Sequence, residues 1–213
     1  MAITQNPIIG RATGQAAGMI FSTVKGKNII RAKAVSVKPS NTPRQMAQRQ
    51  AMALVVSIYG ALRAVCQIGF RAYSSTRNAY NMFSSYALSN AFDFSDLDNV
   101  MFDPSALQVA KGSISPVSFD VTGTALGSLT VSWPSAVTGA NQSLTDVLYL
   151  AVVDQANNQV LVKEAVAARS VGTYSLDASD FTNASGTFTV LGFFASVTSA
   201  LVSDSTFDEI TIA

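Results

Sequence analysis

Apolar residues in this 213-residue chain keep helical spacing between Thr42 and Asn90 and change to short strand-like runs after about residue 113. The period at which apolar side chains recur decides which element can hide them from water, so this switch dictates helices followed by strands, an α+β multi-part chain. In the helical stretch Ala51, Leu54, Ile58, Leu62, Val65 and Ile68 share one stripe, while Arg49, Arg63 and Gln67 project from the opposite side. Thr42, Pro43 and Gln45 make a capping-box start. Gly69 and the run Ser74-Ser75-Thr76 mark a break, after which Tyr80, Phe83, Tyr86 and Ala87 form a second stripe ending near Asn90. Two helices alone cannot bury both stripes, which calls for the C-terminal region or a neighbouring subunit.

From residue 113 onward the expected strands are Val117 to Val121, Leu129 to Trp133, Val147 to Val153, Val160 to Lys163, Thr173 to Leu176, Thr187 to Phe194 and Glu209 to Ile212, with a hairpin turn at Asn157-Asn158. Seven short strands separated by Gly, Asn, Asp and Ser predict a β-sandwich, and Trp133 and Tyr174 suit an immunoglobulin-like or fibronectin-III-like core without a disulfide. Before the helices, Met19 to Val24 and Asn28 to Val35 flank a Lys25-Gly26-Lys27 turn and predict an extended hairpin or arm. The arm has few large apolar side chains. Ordering each residue costs about 1–2 kcal/mol, so such an arm is expected to order against a partner. The expected organisation is therefore a basic Gly-rich arm over 1–41, a helical segment with linker over 42–112 and a sandwich over 113–213.

Charge follows the same division. All thirteen carboxylates lie at or after Asp93, whereas eleven of the fourteen Lys and Arg residues precede it. The near-neutral total conceals a cationic front and an anionic back, and the front must face something anionic. The expected contact residues are Arg11, Lys25, Lys27, Arg31, Lys33, Lys38, Arg44 and Arg49. In an extended strand the i, i+2 pairs Lys25 with Lys27 and Arg31 with Lys33 would each share a side. Their partner is nucleic-acid phosphate, an acidic protein surface, or the acidic half of another copy of the chain; the alternative is that they only solvate the arm and protect its edges from indiscriminate pairing.

Chemistry-bearing motifs are scarce. The chain has no His and one Cys, Cys66, which lies on the helix and reads as a buried structural thiol. Gly10, Gly14 and Gly18 lack the apolar setting of a membrane dimer motif, and Gly26-Lys27-Asn28 lacks the Ser or Thr and the upstream Gly of a phosphate-cradling loop. No catalytic, cofactor or metal residues are assigned, and an enzyme is not the expectation. The N-terminus lacks the pattern of a signal peptide, and the apolar stretch from Ala51 to Leu62 stops at Arg63, short of a span, so neither a membrane nor a small-molecule substrate is expected.

Several runs carry a resemblance: Asn6 to Gly10, Lys25 to Arg31, Asn41 to Arg49, Ile68-Gly69-Phe70, Ala110 to Ile114 and Gly172-Thr173-Tyr174. Together they resemble an uncharacterised family of Bacteroidota and their phages, with crAss-like phages among the candidate hosts of the gene. The resemblance covers most of the chain, and Ser22-Thr23-Val24 stands where the family has an aromatic residue before the turn. It implies no catalytic residues. It implies a phage or prophage context, hence a non-enzymatic structural protein of a tailed-phage virion, either a capsid auxiliary protein or a neck or tail ring component, in contact with other copies of itself and other virion proteins. The alternative expectation is a sequence-independent nucleic-acid-binding protein using the basic half.

Overall fold

The computed structural model describes residues 2–4, 13–36, 41–75, 77–182 and 185–213, and the chain divides into two compact units, Met1–Asn41 and Thr42–Ala213.

The first unit is a four-stranded antiparallel sheet of β1 (Ala2–Thr4), β2 (Gly14–Ala16), β3 (Met19–Val24) and β4 (Lys27–Ala32), in the order β1-β4-β3-β2. A single hairpin was expected, and β3 and β4 form it. Two further strands pair along its outer edges. The connection is two residues long, with Lys25 at φ 49° and Gly26 at φ 77°. Two consecutive left-handed residues match the twist of the flanking strands, which explains a Gly here. No described side chain from residue 13 to residue 36 is buried; Phe21 and Ile30, paired across β3 and β4, are half-exposed. The sheet thus has order without a core of its own.

The second unit begins with α1 (Pro43–Gly69) and α2 (Ala79–Asn90). Thr42 does occupy the N-cap position, but its hydroxyl makes no cap bond; its carbonyl accepts from the Gln45 and Met46 amides at 2.9 and 3.0 Å. α2 has the side-chain cap, with the Asn78 Oδ1 accepting from the Asn81 amide at 2.8 Å. Ala51, Val55, Ile58, Leu62, Val65 and Cys66 bury one face of α1. The helix runs through Arg63 to Gly69, so its length and composition do reach those of a membrane span, contrary to the expected short stretch.

A two-stranded ribbon follows, β5 (Phe92–Asp93) with β6 (Met101–Phe102). The remaining strands are β7 (Asp120–Thr122), β8 (Leu129–Ser132), β9 (Val147–Asp154), β10 (Val160–Lys163), β11 (Thr173–Leu176), β12 (Gly186–Ala195) and β13 (Thr206–Ile212). They form two antiparallel sheets, ordered β10-β9-β12-β13 and β11-β8-β7. Leu148, Leu150, Val152, Val190 and Phe194 of the larger sheet share a core with Leu129, Val131, Trp133 and Leu176. From the other side of the same strands, Tyr149, Ala151, Val153, Leu191 and Phe193 share a core with α1 and α2. Strands β9 and β12 are therefore covered on both faces, and this is why Val147 to Val153 reads as an unbroken apolar run rather than an alternating one. Residues 42–112 and 113–213, expected as separate segments, meet across this shared core.

The segment joining helices to strands is fixed by close backbone contact. A Cβ built on Gly69 would stand 2.3 Å from the Val109 carbonyl oxygen, and the Lys111 amide donates to the Gly69 carbonyl at 3.0 Å. Further along, the Ile114 amide donates to Val202 at 3.0 Å. The runs Ile68-Gly69-Phe70 and Ala110 to Ile114, far apart in sequence, are thus one packing joint.

Candidate interaction surfaces

The expected contact cations are distributed over both units. Lys27 and Arg31 lie on one face of β4 together with Ile29, opposite Val24 and Ile20 of β3. Lys25 does not share a strand face with Lys27 because it occupies the turn. Lys33 follows the end of β4, its amide donating to the Gly18 carbonyl at 2.7 Å. Arg44 and Arg49 are exposed in the first turns of α1, in the other unit, and five residues of helix set them about 140° apart. Arg11 and Lys38 lie outside the described residues. The opposite face of these two strands carries Met19, Phe21, Ile30 and Ala32, none of them buried, and at its turn end the polar pair Thr23 and Asn28. Unit for unit, Met1–Asn41 has six cations and no acid, while Thr42–Ala213 has eight cations against thirteen acids.

A second surface was not anticipated from sequence. A groove of about 660 Å³ runs between α1 and the start of α2, lined among others by Val56, Tyr59, Arg63, Gln67 and Tyr80. Tyr59 and Tyr80 meet edge to face with centroids 5.1 Å apart. Burial, with a smaller push from Cys66, raises the Tyr59 phenol above its ordinary pKa, and Arg63 opposes the shift. The helical stripe did place Arg63 and Gln67 on the solvent side. What it could not show was that Ser74 and Asn78 to Tyr80 would line the same groove.

The third feature is a buried ion pair in the sandwich. Arg169 is fully buried, with its Nε 3.4 Å from the Asp146 Oδ2 and its guanidinium 4.0 Å from the Phe194 ring centre. The Trp133 indole N–H donates to the Arg169 carbonyl at 2.9 Å, and Asp146 also accepts from the Ser143 amide at 2.7 Å. Burial pushes the Arg169 pKa down and Asp146 partly restores it. None of the guanidinium nitrogens has a hydrogen-bond partner of good geometry. Cys66 is likewise buried, and burial drives its thiol pKa far up, so the thiolate that a nucleophile needs is suppressed. Among the described residues no group of three or more His, Cys, Asp or Glu is placed to hold a metal ion.

These features define an α+β protein whose larger unit layers two helices on antiparallel sheets and whose smaller unit is a wholly cationic sheet. The chain belongs to DUF6266, a family of unknown function, whose pattern matches residues 11–207. No curated protein matches the sequence.

Proposed function

We propose that this protein is a non-enzymatic structural component of a tailed-phage particle, a capsid auxiliary protein or a neck or tail ring subunit, that assembles through its N-terminal unit. The observation carrying this reading is a four-stranded sheet in a unit with six cations and no acid, where none of the described side chains is buried. A sheet that covers neither face gains little from the burial that normally offsets chain entropy, and a partner surface supplies the missing layer. The excess of acids in Thr42–Ala213 makes another copy of the chain a complementary partner. The phage setting comes from the resemblance described above. A fibronectin-III-like sandwich belongs to the same proposal. Its support is strand order: the first, second and fifth of seven strands form one sheet, and the third, fourth, sixth and seventh the other.

Sedimentation of the full chain at low and high salt, beside a Lys27→Glu/Arg31→Glu variant, tests the reading. A salt-sensitive oligomer that the variant fails to form is the expected result; identical monomers throughout would defeat it. The same cations favour sequence-independent nucleic-acid binding as a second reading. It requires DNA affinity that falls by about 0.9 log unit per log unit of salt for each neutralised phosphate.

A further inference from the structure

We infer that the groove between α1 and α2 receives the β5–β6 ribbon of a second copy of this chain. The inference rests on the reading of the protein as an assembly subunit and names a contact that the basic sheet does not supply. Groove and ribbon complement each other in charge and in apolar character. The stretch that builds the groove, residues 42–92, has no acid, and Arg63 stands exposed on its wall. The ribbon and its loop, Asp93 to Asp103, contain four acids and no cation.

The apolar parts match as well. Met101 is 66% exposed on the ribbon and Val56 is 51% exposed in the groove, so each surface offers an apolar side chain to the other. Register places Met101 directly opposite Asp93, so the ribbon presents a thioether beside a carboxylate on one face. The groove offers the Tyr59–Tyr80 pair beside the Arg63 guanidinium. A methionine suits an aromatic pair because its flexible, polarizable sulfur packs favourably against rings.

A chain does not fill its own groove. The ribbon is anchored at the C-terminal end of α2, where the Asp103 amide donates to the Ala91 carbonyl at 2.9 Å. The groove involves the other end of that helix, at Asn78 to Tyr80, and twelve residues of α-helix span about 18 Å. No described ribbon residue lines it. Because groove and ribbon are different surfaces, the contact is either reciprocated across a two-fold axis, giving a closed dimer with two such contacts, or repeated head to tail, giving a ring or an open filament.

Cysteine cross-linking in the full chain tests the contact directly. Chains bearing Ser74→Cys in the groove and Met101→Cys on the ribbon, mixed under mild oxidation, are expected to form disulfide-linked dimers holding one chain of each kind. Cys66 is buried and does not compete. Adding Arg63→Glu to the groove chain should cut the yield about ten-fold through like-charge contact, and Asp96→Arg/Asp98→Arg on the ribbon chain should recover it. Hetero-linked dimers no more abundant than self-linked ones, or a yield indifferent to Arg63→Glu, would overturn the inference. The Lys27→Glu/Arg31→Glu background separates it from the proposal for the sheet. Cross-links that persist while that variant's oligomer is unchanged remove the role of the sheet alone; lost cross-links in chains that still need Lys27 and Arg31 to assemble remove the groove contact alone.

Discussion

Arg169 and Asp146 show how much a single pair can decide. Both are shut away from water, so removing one charge leaves the other without compensation. Asp146→Asn is expected to lower the unfolding free energy by about 3–5 kcal/mol in a denaturant titration. A loss below 1 kcal/mol would mean that Arg169 reaches solvent or another partner. Gly69 is the second decisive residue. Its Cβ position is occupied by the Val109 carbonyl, a backbone atom that cannot swing aside, so Gly69→Ala should cost about 1–3 kcal/mol or more by the same measurement. Gly69 was legible as a break in the helical pattern, but not as the site of a crossing chain. Arg169 was not legible at all, since a cation between Ala168 and Ser170 reads as an ordinary loop residue until the fold closes around it.

The elements themselves were largely written in the sequence. All seven strands after residue 113 lie where the apolar runs place them, with shifted ends, because turn residues bound each run. Both helices are also where expected, since a 3.6-residue stripe has no other use. Less was legible where short elements depend on distant partners. The two-residue strands β5 and β6 and the edge strands β1 and β2 have no periodicity of their own to detect. Helix α1 gives a contrast with Gly69 on one element: a Cβ on Gly60 would meet nothing within 4 Å. Gly60→Ala should raise stability by about 0.5–1 kcal/mol through helix propensity, seen as a higher melting temperature. An unchanged or lower melting temperature, measured at high salt where assembly is weakened, would contradict that gain.

At the scale of the molecule, segregation of charge is the feature that sequence shows outright and that structure sharpens. The first unit has six cations and no acid, none of its described side chains is buried, and the larger unit keeps every acid. Which cations share a face was not legible, because it depends on the β4 register. Attraction between exposed charges weakens as salt shortens the Debye length from about 10 Å at 0.1 M to about 3 Å at 1 M, so assembly through the basic sheet must be salt-dependent. Native mass spectrometry of the full chain beside a chain beginning at Thr42, each at low and high salt, tests this most directly. The account predicts a defined oligomer only for the full chain at low salt, falling to smaller species as salt rises. Full-length monomers at every salt concentration, or equal assembly by the chain that lacks residues 1–41, would contradict it.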